Sequence, residues 1–563
     1  MLWFNFSIGF PMRILLVCLS ITFLSACNAT LDDLTDVQYY KTSWQQLTDS
    51  SEKTTSSLEK QDDIPELMHP AEDITDSLST IVLTAESSRT DQALTKELEP
   101  VAYADLWGYL AANMTLPISQ HPRLQSKKDW YLKHPQYMQR VAKRAGPFLY
   151  YIVKELEQRE LPLELALLPI VESSFDPFAY SHGRAAGMWQ FIPSTGKRYG
   201  MEQNWWYDGR RDVIASTQGA LDYLTYLHKY FDGNWYHALA AYNSGEGRVG
   251  RAIRKNRKAG KSTDFWSLSL PKETRSYVPK LLALVEILKN TDSHAFAWPE
   301  IPNEPVIDII DVGSQIDLAL AAEFSGLTLT ELHALNPGYN RWATAPNGPH
   351  RLVIPLHKSQ EFTRQLAATA PEKRINWVRH KVRSGENLGL IAQNYTTSID
   401  VIKSINELGS NTIYQGQYLL VPVALKSLDE YKLSQTQRLA KLQNRPSKSI
   451  SIKHKVENGD TLWDLAKKYK VSSQAIARWN GIAPKDFIRP GQVLVIRLPK
   501  DKDSGIVRNI TYTVRSGDSL ARIGQKFGVK IKDIIRWNQI AGQKYLQPGQ
   551  KLKLAVDITK AQG

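Results

Sequence analysis

The 563-residue chain has only two cysteines, Cys18 and Cys27, both near its start. No disulfide can therefore brace anything beyond residue 27, whatever the compartment. Its twelve histidines show no His-Glu-x-x-His or other metal-ligand spacing, so no metal is expected. A complete phosphate loop is missing too. Ala259-Gly-Lys-Ser262 has the end of one, but Lys255 stands where the first glycine is required, and no other cofactor is expected. The apolar run Ile14–Cys27 falls short of the about 20 residues that a membrane-spanning helix needs.

What is present points to several packed domains. Hydrophobic residues make up 42% of the chain and there are 15 Trp, enough for real cores at a prior of about 150 residues per domain. The net charge of +13 is unevenly spread. Residues 28–100 hold 16 Asp or Glu against 5 Lys or Arg, while residues 101–563 carry a surplus of 23 positive charges. A basic body suits an anionic polymer. The run from Arg248 to Lys261, with seven basic residues in fourteen, lacks the interleaved aromatics of a nucleic-acid groove, so no nucleic acid is expected.

Arg13, the short apolar core and small residues before a break have the form of an export signal over residues 1–26. Met12 is an alternative start. Leu24-Ser-Ala-Cys27 resembles a bacterial lipoprotein signal, in which Cys27 becomes the acylated first residue; an ordinary cleavage nearby is the other reading. Asn28, rather than Asp, favours passage to the outer membrane. Residues 27–100, acidic and rich in Ser and Thr, have the composition of a flexible tether.

The densest chemical signal is Leu161-Pro-Leu-Glu-Leu-Ala-Leu-Leu-Pro-Ile-Val-Glu-Ser-Ser-Phe-Asp176. Leu163, Leu167 and Ile170 recur at helical spacing, and Pro162 suits a first turn. Glu172 ends this almost unbroken apolar run. A carboxylate placed there loses hydration, which disfavours its charged form and keeps it protonated nearer neutral pH. A general acid needs that property. Taken alone, such a Glu is better read as a helix cap or as the partner of a nearby Arg.

Three further segments follow in order: Ser181-His-Gly-Arg-Ala-Ala-Gly-Met-Trp-Gln190, Ala240-Ala-Tyr-Asn-Ser-Gly245 and Arg275-Ser-Tyr-Val-Pro-Lys280. With Glu172-Ser173 ahead of them, this order resembles the soluble-lytic-transglycosylase domain, an all-α lysozyme-like fold that cleaves bacterial peptidoglycan. The family has Gly-Leu-Met-Gln where this chain has Gly187-Met188-Trp189-Gln190, a departure at two apolar positions. Residues 101–298 are assigned to this domain, with a core at about 160–280. The resemblance implies Glu172 as the catalytic residue and Ser181, Met188, Gln190, Tyr242, Asn243 and Tyr277 as substrate-binding or orienting residues. Five of the substrate-binding residues have a plainer reading: turn chemistry around Gly183 for Ser181, a surface position for Gln190, core for Met188, a helix C-cap for Asn243 and a half-buried Tyr at 277. Trp189, Trp205 and Trp206 are open to sugar stacking or core packing.

The C-terminal half repeats. Val382-Arg-Ser-Gly-Glu-Asn-Leu388, Val456-Glu-Asn-Gly-Asp-Thr-Leu462 and Val514-Arg-Ser-Gly-Asp-Ser-Leu520 are aligned copies. An Asn follows each Gly by 21 residues: Asn406, Asn480 and Asn538. A βααβ order is expected, and the copies resemble LysM modules, which bind N-acetylglucosamine-containing glycans. Their boundaries are 376–423, 452–497 and 510–555, with a polar linker at 424–450. Intervening linkers argue against tight stacking. A degenerate copy at 305–356 keeps Val312, Leu318 and Asn336 but has Gln315 in place of the Gly.

The resulting expectation is a lytic transglycosylase that cleaves the β-1,4 bond between N-acetylmuramic acid and N-acetylglucosamine without water, leaving 1,6-anhydromuramic acid ends, in cell-wall turnover or remodelling. Its partners would be peptidoglycan glycan strands and, through lipid on Cys27, the periplasmic face of the outer membrane. The alternatives are a muramidase, which adds water to the same bond, and a non-catalytic wall-binding lipoprotein.

Overall fold

A computed structural model of the chain describes residues 103, 105–181, 183–291, 298–447, 449–498, 507–540 and 545–557. The export signal, Cys27 and the acidic tether lie outside these residues.

The helical domain begins with α1 (Leu106–Asn113), α2 (Pro122–Leu132) and α3 (Pro135–Gln158). Asp105 caps α1 by accepting from the Gly108 amide at 3.0 Å. Proline opens α2 and α3, where its missing N–H costs no ladder bond. The apolar stretch after α3 is expected to be one helix but forms two pieces, a 3-10 turn over Leu163–Leu167 and then α4 (Leu168–Ser173). Pro169 in the first turn of α4 explains the break, since a continuous helix would need its N–H. Ser174 and Phe175, at φ 58° and 56°, stop α4.

Helices α5 (Pro193–Arg198), α6 (Val213–Tyr230), α7 (Trp235–Ser244), α8 (Glu246–Lys258) and α9 (Lys272–Lys289) complete the domain. Asp212 and Asn234 cap α6 and α7 through the Ala215 and His237 amides. Every residue from Leu281 to Val285 of α9 is fully buried, so α9 runs through the core, and the site helices are set around it.

Four βααβ modules follow, each closed by one antiparallel strand pair. The first has β1 (Ile307–Asp311), α10 (Leu318–Ser325), α11 (Leu329–Leu335) and β2 (Arg351–Pro355). It does not stop at residue 356. Helix α12 (Leu356–Ala368) continues it, because Phe362 and Leu366 are buried in the same core. The second has β3 (Asn376–Lys381), α13 (Leu388–Asn394), α14 (Ile399–Ile405) and β4 (Tyr418–Val423).

One expectation about the connections changes. The 424–450 segment contains α15 (Gln435–Gln443), and Tyr431 before it is buried, donating to Asp317 Oδ1 at 2.8 Å. Its few apolar side chains do the anchoring, which its polar composition hides. The second module is docked on the first, with Val401 in the first module's core and Trp342 Nε1 donating to the Thr396 carbonyl at 3.0 Å.

The third module has β5 (Ile450–Lys455), α16 (Leu462–Tyr469), α17 (Ser473–Trp479) and β6 (Val493–Leu498). The fourth has β7 (Val507–Thr513), α18 (Leu520–Phe527), α19 (Ile531–Asn538) and β8 (Lys551–Asp557).

Candidate active site

Glu172 lies in the last turn of α4, and that turn is fixed from both sides. Ser173 Oγ, fully buried, donates to the Met188 carbonyl at 2.8 Å. Ser174 Oγ shares a 2.8 Å hydrogen bond with the Tyr137 hydroxyl. The Glu172 side chain is half-buried, and its Oε1 accepts from the Tyr277 hydroxyl at 2.5 Å. Desolvation pushes the Glu172 carboxyl up to about 8, and the Glu273 charge pushes the same way. The Tyr277 hydrogen bond and Lys280 pull it back down. The group is thus mainly protonated at neutral pH, yet it holds a donor that favours the carboxylate once the proton has left.

Tyr277 comes from α9 and is buried. Burial, and next the Glu172 charge, hold its phenol well above the usual tyrosine range, so it stays a donor. Tyr242, on α7, donates to the Trp189 carbonyl at 3.0 Å and packs its ring on Phe191 and Tyr223. Its phenol is raised by burial and then by Glu172, which puts it within the electrostatic reach of the carboxyl. Asn243 is not the helix cap; Gly245, at φ 84°, takes that place. Its Oδ1 accepts from Thr274 Oγ1 at 2.8 Å, and its Nδ2 reaches Glu273 Oε1 at 3.4 Å.

Ser181 and Gln190 belong to a folded turn and share no hydrogen bond with Glu172. Ser181 Oγ accepts from the Gly183 and Ala185 amides at 3.2 and 3.1 Å, so the turn reading holds while its own proton remains able to donate. Gln190, in the left-handed region at φ 51°, donates through Nε2 to the Gly187 carbonyl at 2.7 Å. Gly187 itself sits at φ 81°, and a Cβ there would come within 1.7 Å of the Arg210 carbonyl oxygen. Only glycine fits.

Met188 requires a correction. Its side chain is fully buried in the domain core, so it supports the site from beneath and presents no surface to a substrate. An apolar thioether gains most by that burial. Trp189 and Trp206 are likewise core residues. Trp189 Nε1 is satisfied by Thr217 Oγ1 at 3.0 Å, and Trp206 packs against Trp342. Trp205 lies under the Arg341 guanidinium, 4.0 Å from its ring centre.

Sequence reasoning missed three positioning residues. Arg210 is held by both oxygens of Asp208 at 2.9 Å and donates to the Arg184 and Phe191 carbonyls, which staples the Ser181–Gln190 turn. Thr274 orients Asn243. Glu273 sits one helical turn before Tyr277, a spacing that could have drawn attention to it. Asp176, by contrast, is buried with its Oδ1 accepting from the Phe178 amide at 2.8 Å. Its charge acts on Arg211 and Arg438.

Comparison with known proteins identifies the domains of the chain. Residues 150–265 match the Transglycosylase SLT domain. Residues 380–422, 454–497 and 512–555 match the LysM domain, and residues 306–370 match the LysM-like domain of lytic transglycosylase MltD. A putative tributyltin chloride resistance protein of Alteromonas sp. (strain M-1) is 46% identical over 175 residues, 31% of this chain and 83% of that one. Among solved structures, an inactive mutant of lytic transglycosylase Slt from Pseudomonas aeruginosa is 21% identical, covering 34% of this chain and 33% of its own, with a TM-score of 0.23. Membrane-bound lytic murein transglycosylase D of Escherichia coli (strain K12) is 36% identical over 459 residues, 80% of this chain and 86% of its own. On that last match, which spans most of both proteins, the chain belongs to the membrane-bound lytic murein transglycosylase D family.

Proposed function

We propose that this chain is a peptidoglycan lytic transglycosylase in which Glu172 acts first as acid and then as base. The observation that carries the reading is the Glu172–Tyr277 pair, a carboxyl held at about 8 with one tyrosine donor on it. Protonated Glu172 gives its proton to the departing glycosidic oxygen, and an oxocarbenium-like centre develops at C1 of the muramic acid. The resulting carboxylate, stabilised by Tyr277, takes the proton from the C6 hydroxyl of the same sugar. That oxygen closes on C1. Because it is already tethered, its effective concentration outcompetes water, and a 1,6-anhydro end results. Ser181, Gln190, Tyr242 and Asn243 are proposed to bind the glycan around this centre.

The LysM modules are proposed to hold glycan strands. Phe487 and Tyr545 occupy the same position in two repeats, four residues before the glycine of the last turn, and expose 91% and 74% of their surface. Such rings can stack on sugar faces. The E. coli relative is named membrane-bound, which supports membrane association. We take Cys27 as the acylated residue and the periplasmic face of the outer membrane as the location. A Cys27→Ser protein should leave the membrane fraction, and wild-type protein that takes up no labelled fatty acid would refute the anchor.

Digestion of purified sacculi tests the catalytic assignment. Glu172→Gln keeps shape but has no transferable proton, so turnover should fall about 10²–10⁴-fold while co-sedimentation persists. An active Glu172→Gln protein would refute the role of the residue. One observation favours hydrolysis instead: exposed Glu273 is a second carboxylate whose charge acts on Glu172, and most glycosidases work with two carboxylates.

A further inference from the structure

The third module touches the helical domain at the turn that carries Ser181 and Gln190. Asp486, in the loop between α17 and β6, pairs through Oδ1 with Arg184 Nε, and its Oδ2 accepts from the Tyr180 hydroxyl at 3.4 Å. Burial, and next the Asp486 charge, push the Tyr180 phenol up to about 12, so it stays a donor. The same Oδ2 accepts from the Ala483 amide at 2.8 Å, which holds the loop in shape. This contact belongs to one module. Five places before the glycine of the last turn, the three aligned repeats have Asn411, Asp486 and Lys544, so only the third supplies a carboxylate.

Other contacts hold the third module in place. Gln443 of α15 donates to Asn480 Oδ1 at 2.9 Å, and Arg497 Nη2 donates to the Leu442 and Gln443 carbonyls at 3.2 and 3.3 Å. The Gln435 amide ties α15 to the Asn340 carbonyl of the first module at 2.9 Å. The Asn340 amide in turn donates to the Trp206 carbonyl of the helical domain at 2.8 Å. An ion pair whose arginine side chain is 43% exposed adds little stability to such a path. What it adds is orientation, because it fixes one loop on one turn.

That loop carries Phe487. It follows Asp486 directly, so its Cα lies about 3.8 Å from that of the paired residue. Its ring is 91% exposed and gains nothing from the module's core. At the other end of the pair, Arg184 stands between Ser181 and Gln190 in the turn that Arg210 staples. A single ion pair therefore joins the exposed ring to the turn that bears two of the proposed glycan-binding residues.

We propose that Asp486 is a positioning residue, which by pairing with Arg184 sets Phe487 beside the catalytic site as an outlying sugar-stacking subsite for long glycan strands. The inference rests on the glycan reading above and adds a preference for long strands over short oligosaccharides. Binding at a remote subsite is the same in ground and transition states, so it lowers KM and leaves kcat alone.

Initial rates of the full chain on two substrates test it: a tetrasaccharide of alternating N-acetylglucosamine and N-acetylmuramic acid, and long strands freed of stem peptides. Wild type is expected to show the lower KM on strands. Asp486→Asn keeps an acceptor for the Ala483 amide but loses the charge. It should raise the strand KM about threefold, with kcat and the tetrasaccharide kinetics as in wild type. Phe487→Ala should raise the strand KM at least as much, and adding Asp486→Asn to it should change nothing further, because the pair acts through the ring. Thermal melting reports folding; Arg184→Gln breaks the same pair from the other side and carries the test if Asp486→Asn does not fold. A strand KM that neither variant moves, an equal change on both substrates, or additive losses in the double variant would each overturn the proposal. Cleavage of both substrates with equal KM sinks the subsite alone, whereas cleavage of neither sinks the functional reading with it.

Discussion

The helical domain and the repeat array treat a polar side chain set against the core in opposite ways. In every module one asparagine ties the second helix to the last strand. Asn480 Nδ2 donates to the Ile476 and Val495 carbonyls at 2.8 and 2.7 Å, and its Oδ1 accepts from the Val495 amide at 2.7 Å. Asn336, Asn406 and Asn538 repeat the pattern. Donors and acceptor are all used, so the residue is a structural tie. Glu172 has one tyrosine donor in a setting that penalises its charge. Full satisfaction gives rigidity, and partial satisfaction leaves a group ready to exchange a proton.

The contrast breaks most visibly in pH dependence. If protonated Glu172 is the acid, kcat should fall about tenfold per pH unit above its titration near 8, as long as chemistry limits the rate. A flat alkaline limb from pH 7 to 10 would show that another group supplies the proton.

A smaller effect is expected in the modules. Asn480→Ala leaves backbone groups unpaired in a small core and should cost roughly 2–3 kcal/mol of that module's stability, read by hydrogen exchange. Asn406→Ala should cost less, because Asn406 is only half-buried and water can replace its bonds. Equal losses would mean that burial does not set the value of the tie.

The same carboxyl also sets the stability of the helical domain. Glu172 has a raised pKa when folded, about 8 against the ordinary 4.5, so the folded state keeps a proton that the unfolded chain has already released. The stability from this is fully present below pH 4.5 and is lost as pH rises through about 8. Glu172→Gln does not ionise. Its melting midpoint should match wild type at pH 4 and exceed it above pH 8; a midpoint below wild type at pH 9 would contradict the desolvation.

Much of this was legible in the residues. An apolar run ending in Glu172 foretells desolvation because both are local, and Gly-to-Asn spacing foretells the modules because each repeat is one short unit. What stayed hidden depends on distant partners. Glu273 becomes relevant only when α9 brings it beside α4. The Arg210 staple needs a turn 20 or so residues upstream, and a polar stretch shows its helix at 435–443 only because Tyr431 finds Asp317. Met188 matched a motif, yet its apolar chemistry put it in the core.

The most direct test of the account is the nature of the ends produced from intact sacculi, measured by mass spectrometry for wild type and Glu273→Gln. A tethered C6 hydroxyl predicts 1,6-anhydromuramic acid ends from both proteins. Reducing muramic acid ends from wild type, lost when Glu273 is replaced, would show that water is the nucleophile and that two carboxylates share the work.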